Sequence, residues 1–149
     1  MTDFFLMIFL LLILFVLSVV DLREMIVPGA GIAAVAGIGV LRGILGEQGW
    51  MFHVKGGLIL FCVCIGIALI SGGLGGGDVK LFGALGFALG TRAAAEIFVL
   101  AFLLSGIFVS AAHLLLRITG REGRFVGKKE IPFVPFIGAA AAVLFLLPS

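Results

Sequence analysis

Apolar residues in this chain come in long runs separated by short polar intervals, and that rhythm predicts its elements. Residues 4–20 form one run without a charge, close to the ~20 residues a helix needs to cross a bilayer. A polar turn follows, Asp21-Leu22-Arg23-Glu24-Met25-Ile26-Val27-Pro28-Gly29. Pro28-Gly29 suits the start of a second helix, because proline is tolerated in a first helical turn. The second run covers roughly residues 29–45, with Arg42 at its far end, and the third covers 56–70 after a loop holding Glu47, His53 and Lys55. A glycine-rich stretch opens a fourth run over 73–90, a fifth spans 93–116, and a polar loop over 117–130 precedes a sixth over 132–147.

This pattern predicts an all-α polytopic membrane protein with about six transmembrane helices, forming one integral-membrane unit over residues 1–149. A transmembrane barrel would instead alternate polar and apolar positions in ~10-residue segments. The first run lacks the basic start and small-residue cleavage site of a secretory signal, so it is expected to be a retained span. The fourth is short: from Asp78 to Gly90 it has 13 residues, about 20 Å at helical rise, against a bilayer core of ~30 Å. Part of the glycine segment is therefore expected at membrane depth, buried against protein.

Composition strengthens the membrane assignment. The chain is 62% hydrophobic and 12% charged, where soluble domains carry about 25% charged residues, and its mean hydropathy is +1.37. The net charge of +2 lies in short loops and offers no face to a nucleic acid. If the spans alternate, one side of the membrane holds Arg23, Lys80, Arg117, Arg121, Arg124, Lys128 and Lys129, and the other holds Arg42, Lys55 and Arg92. The positive-inside rule then puts the N-terminus outside and the richer side in the cytoplasm. The basic loop after the fifth span is expected to meet anionic lipid headgroups, and Arg23 and Lys80 to act as topology anchors. Cys62 and Cys64, two positions apart, point in different directions on a helix and are expected in the core. Trp50, His53, His113 and Glu96 suit interfacial positions, Asp3 a solvated terminus. The pairs Gly39/Gly43 and Gly86/Gly90 suit close helix packing.

The chemistry gathers at Ser71-Gly72-Gly73-Leu74-Gly75-Gly76-Gly77-Asp78-Val79-Lys80, where five glycines in six residues run toward a carboxylate. An ionisable residue at a membrane is costly and marks function by default; the plain alternative is a helix cap. Alternation places Asp21, at the end of span one, and Asp78, at the start of span four, on the same membrane face. Two nearby carboxylates that share a proton are the working parts of an aspartic protease, one as base toward water and the other as acid. Other hydrolytic devices are missing from the sequence: there is no HExxH, the two histidines are isolated, and the glycine run lacks a P-loop ending. A small proton-coupled transporter with a glycine-broken helix, or a structural assembly subunit, is the alternative from another class.

The same residues resemble a known family. Gly75-Gly76-Gly77-Asp78 fits the Gly-x-Gly-Asp signature of intramembrane aspartic proteases, and Val79-Lys80-Leu81 looks like its prepilin peptidase branch. Asp21-Leu22-Arg23 followed by Ile26-Val27-Pro28 is similar to that family's first motif, with Val27 and Gly29 departing from the usual isoleucine and asparagine. Ile131-Pro132-Phe133-Val134-Pro135-Phe136 resembles the segment that opens its last helix. The resemblance implies Asp21 and Asp78 as the catalytic pair, with Gly75, Gly76 and Gly77 at the substrate. It implies a substrate with a short cytoplasmic leader and a hydrophobic helix, a prepilin-like or preflagellin precursor, cut at the inner membrane without metal or cofactor. Larger members carry a Cys-x-x-Cys insertion linked to zinc and N-methylation; this chain has none, so it looks like the short class found with tight-adherence pili, or the archaeal relatives that cut preflagellins, a peptidase without methyltransferase activity.

Overall fold

The computed structural model of the chain describes residues 2–46, 48–118 and 132–146. They form α1 (Thr2–Glu24), α2 (Gly29–Leu45), α3 (Gly49–Ser71), α4 (Gly76–Leu89), α5 (Thr91–Ile118) and α6 (Val134–Leu146). All regular structure among the described residues is helical, and the chain is a polytopic membrane protein. By length and apolarity α1, α3 and α5 each suffice to cross a bilayer, while α2 and α6 are shorter apolar helices. The 14 residues of α4 and 13 of α6 reach only about 20 Å each. The anticipated shortness of the fourth element is therefore real, and the sixth shares it.

Two boundaries differ from the sequence reading, each for a local reason. Helix α1 continues past Asp21 to Glu24 and ends where Met25 takes a left-handed φ of 54°. Helix α3 begins at Gly49 rather than Gly56, absorbing most of the expected loop. His53 made that stretch look polar, but its ring is buried and Nδ1 lies 2.8 Å from the Phe87 carbonyl oxygen. Glycine ends the next two helices: Gly72 after α3 and Gly90 after α4 have φ of 62° and 82°, where a Cβ would be strained.

Helix α4 is the centre of the bundle. Val79, Leu81, Phe82, Ala84, Leu85, Ala88 and Leu89 are all buried, so this short helix turns apolar side chains to every neighbour. Glycines let those neighbours come close. A Cβ on Gly56 of α3 would lie 2.8 Å from Gly90 Cα, one on Gly86 the same distance from the Gly56 carbonyl carbon, and one on Gly39 of α2 2.8 Å from the Phe87 carbonyl oxygen. Gly39, Gly86 and Gly90 thus pack closely as expected, Gly90 also ending its helix, and Gly43 faces Trp50. The last carbonyls of α4, which have no partner inside the helix, are met from outside by His53 at Phe87 and by Arg42 Nη1 at Ala88, 3.3 Å away.

Arg42 also pairs with Asp3 at 3.1 Å, which ties the start of α1 to the end of α2, so Asp3 is more than a solvated terminus. Cys64 is buried but Cys62 is exposed on the outer face of α3, a correction that follows from their different directions on the helix. That face belongs to a broad apolar exterior that includes Phe5, Phe15, Leu58, Leu69 and Ile107, suited to lipid chains. Glu96 pairs with Arg92 one turn away at 3.1 Å. Arg121, Arg124, Lys128 and Lys129, which dominate the charge count for orientation, lie outside the described residues.

Candidate active site

At the end of the bundle opposite Asp3 and Arg42, the start of α4 meets the ends of α1 and α3 and the start of α6. Because α4 and α6 are short, a recess of about 970 Å³ forms there, and it is lined by both Asp21 and Asp78. Gly75, Gly76 and Gly77 line it too, so the five positions singled out in the sequence come together in one cavity. Its remaining wall includes Phe102 and Ser105 of α5 and Phe133 just before α6.

Asp21 is held by a contact the sequence did not reveal. Its side chain is 5% exposed, and Oδ2 accepts the Val134 backbone N–H at 3.0 Å. Val134 is the first residue of α6, so its N–H is one of the orphan donors at a helix start. Asp21 therefore caps α6 from a different helix, with a negative charge at the positive end of the helix dipole. The capping role that was the plain alternative for this residue is real, and it fixes one oxygen of the carboxylate.

Asp78 stands in the first turn of α4, three residues after its N-cap Gly75. The Gly75 backbone lies near its carboxylate, in the reach-back position of a capping box. A Cβ on Gly75 would lie 3.2 Å from Asp78 Oδ2; glycine leaves that oxygen uncrowded. Asp78 Oδ1 is buried with no hydrogen-bond partner among the described residues, although buried polar atoms are nearly always satisfied. The two carboxylates lie close enough for Asp78 to feel the charge of Asp21. Asp21 thus spends one oxygen on a helix end, and Asp78 keeps Oδ1 uncommitted.

The three glycines differ in what they do. A Cβ on Gly77 would lie 3.0 Å from Val27 Cβ and 3.1 Å from its Cγ2, so Gly77 lets the α1–α2 linker pack against the start of α4. Gly76 has nothing within 4 Å of such a Cβ and is exposed to the cavity. Lys80 also reaches the cavity lining.

An aromatic wall fixes the segment before α6. Phe133 meets Phe102 edge to face with ring centroids 4.9 Å apart and reaches Phe82 at 6.1 Å; Phe82 and Phe102 are bridged by Phe98 at 5.0 and 4.6 Å. The Pro132-to-Phe136 motif therefore delivers two things to the site, an aromatic anchor and the Val134 N–H. Among the described residues no three His, Cys, Asp or Glu side chains gather as a metal site would require. Ser18 is a neighbour of the site that sequence reasoning passed over, while the Pro132-to-Phe136 motif holds Val134 with nothing to single out its backbone N–H. The available signal was faint: Ser18 is the one polar residue in the run over 4–20, and it lies one turn from Asp21.

The model of the type IV leader peptidase family matches residues 8–110, a stretch that holds both aspartates and the glycine run. A prepilin leader peptidase/N-methyltransferase of Bacillus subtilis (strain 168) is 30% identical over 136 residues, covering 90% of this chain and 52% of the relative. The chain thus spans about half the length of that curated relative. No solved structure matches it significantly. A family match over well more than half of the chain means that this protein belongs to the type IV leader peptidase family.

Proposed function

We propose that this chain is a membrane-embedded aspartic endopeptidase that removes the short cytoplasmic leader from prepilin-like precursors, with Asp21 and Asp78 as its catalytic pair. The observation that carries the reading is the meeting of these two carboxylates, from α1 and α4, in one recess, with an oxygen of Asp78 left without a partner. Two carboxylates brought together on one scissile bond hold one proton between them most readily. The ionised partner takes a proton from a water as that water's oxygen attacks the scissile carbonyl carbon. The protonated partner hydrogen-bonds the carbonyl oxygen as it gains charge. Collapse of the tetrahedral intermediate breaks the C–N bond, and a proton passes from the dyad to the departing amine. No further reactant is needed.

The precursor's hydrophobic helix lies in the bilayer against the enzyme and presents its leader junction to the recess. A helical peptide hides its carbonyls in its own hydrogen bonds, so the junction is extended there and pairs with the backbone of Gly75, Gly76 and Gly77. The shortness of α4 supports a recess that begins within the thickness of the membrane. The recess faces the cytoplasm, the N-terminus lies outside, and the exposed apolar faces of α1, α3 and α5 contact lipid. The reading is of a peptidase of the short tight-adherence type without methyltransferase activity, supported by the lack of a Cys-x-x-Cys pair in the 149 residues.

The test is to co-express a precursor carrying a short basic leader and an apolar helix with wild type, Asp21→Asn or Asp78→Asn. Asparagine keeps the shape and removes the titrating oxygen. Wild type is expected to release the leader and leave an unmethylated new N-terminus, and both variants to leave the precursor intact. Leader removal at the normal rate by either variant would make the dyad assignment wrong.

A further inference from the structure

The contact between Asp21 and α6 has a second half. Ser18 lies on α1 one turn before Asp21, is 9% exposed, and its hydroxyl stands 2.7 Å from the Leu14 carbonyl oxygen and 3.3 Å from the Val134 carbonyl oxygen. A hydroxyl has one hydrogen and rotates to suit its surroundings, so Ser18 divides its donation between its own helix and α6. Val134 is thereby gripped at both of its backbone groups: its N–H donates to Asp21 and its carbonyl accepts from Ser18. Gly138, one turn further along α6, makes the grip possible. A Cβ there would lie 3.1 Å from Ser18 Oγ, tighter than nearly all real contacts, while the next atom, the Leu14 carbonyl oxygen, is at an ordinary 3.8 Å.

We infer that Ser18 and Gly138 are positioning residues for Asp21: together they seat the first turn of α6 on α1 so that the Val134 N–H holds the carboxylate at its working angle. Neither touches the substrate. The inference rests on the dyad reading above and extends it to residues outside every motif in the sequence. The chemistry is that of a two-point clamp. A single N–H···O contact lets a carboxylate swing about its own χ angles, whereas a donor that is itself fixed at its carbonyl has one place from which to donate. Loosening the carbonyl end leaves Asp21 in the cavity but lets its oxygens wander from the line to water and Asp78.

The experiment measures steady-state cleavage of a purified precursor, with a short basic leader and an apolar helix, by the full-length chain in detergent. Wild type is compared with Ser18→Ala, Gly138→Ala, the double variant and Asp21→Asn, each rate divided by the folded fraction from a thermal melt. Loss of one buried neutral hydrogen bond is expected to lower kcat roughly two- to tenfold in Ser18→Ala, with KM within about twofold because substrate contacts are untouched. Gly138→Ala, whose methyl displaces the hydroxyl, is expected to lower kcat similarly. The double variant is expected to be no slower than Ser18→Ala, since without the hydroxyl the new methyl meets nothing closer than 3.8 Å. Should Ser18→Ala fail to fold, Gly138→Ala carries the comparison alone. A normal kcat in the serine or glycine variant beside an inactive Asp21→Asn would overturn the clamp, as would losses that multiply in the double variant. A normal rate in Asp21→Asn would overturn the dyad and the clamp with it.

Discussion

Gly77 offers the sharpest separation between packing and chemistry at the site. It shares the glycine run with Gly76, yet their surroundings differ: a Cβ on Gly76 meets nothing within 4 Å, whereas one on Gly77 falls 3.0 and 3.1 Å from Val27 Cβ and Cγ2. Ordinary contact begins near 3.4 Å, so in Gly77→Ala the linker must give by a few tenths of an ångström. That linker starts at Met25, four residues from Asp21, and α4 carries Asp78 in the turn that Gly77 belongs to. The retreat therefore lands on the separation of the two carboxylates. A misplacement of about 1 Å can cost a hundredfold in rate. On that scale Gly77→Ala is expected to lower kcat about three- to tenfold and Gly77→Val about a hundredfold. Gly76→Ala is expected to lose less than Gly77→Ala, because its methyl meets no protein atom within 4 Å and can crowd only the substrate. The assay is cleavage of a purified precursor by purified variants, with membrane insertion checked by protease protection. Adding Val27→Ala to Gly77→Ala removes the Cγ2 contact but keeps Cβ, so partial recovery is expected. Equal rates for Gly76→Ala and Gly77→Ala, or no recovery on trimming Val27, would refute this account of the glycine run.

Other predictions concern the scaffold. Gly86→Ala puts a methyl 2.8 Å from the Gly56 carbonyl carbon and 3.1 Å from Gly57 Cα; overpacking of this kind costs about 1–3 kcal/mol, so the melting temperature in detergent should fall. Gly37→Ala, with nothing within 4 Å, is its neutral control. His53→Ala removes the partner of the Phe87 carbonyl, 2.8 Å away, and is expected to destabilise the fold by about 1–3 kcal/mol. Because His53 lies at the far end of α4 from Asp78, kcat per folded molecule should not change.

The sequence made the helices and the two aspartates legible because both depend on local rules. Runs of apolar residues fixed the six elements, and alternation put Asp21 and Asp78 at one end without any knowledge of packing. What escaped was whatever depended on a distant partner. His53 looked like a loop residue because its partner, the Phe87 carbonyl, is 34 positions away. Asp3 looked solvated because Arg42 meets it from the end of another helix. The hold of α6 on Asp21 joins residues 113 apart through a backbone N–H, and a backbone donor leaves no mark in side-chain identity. The resemblance flagged the Pro132-to-Phe136 segment without a reason; Val134 and Phe133 supply one. The cap that Asp21 gives α6 does not exclude a catalytic role, since a carboxylate has two oxygens and a cap uses one.

The central claim is that Asp21 and Asp78 act as one unit in hydrolysis. Its most direct test is the single-turnover cleavage rate of purified Asp21→Asn, Asp78→Asn and the double variant, each with its folded fraction verified. Residues that work as a unit lose nearly everything when either is removed. The account predicts a loss of about a thousandfold or more in each single variant and no further loss in the double. A single variant that cleaves at the normal rate, or two partial losses that multiply in the double, would contradict it.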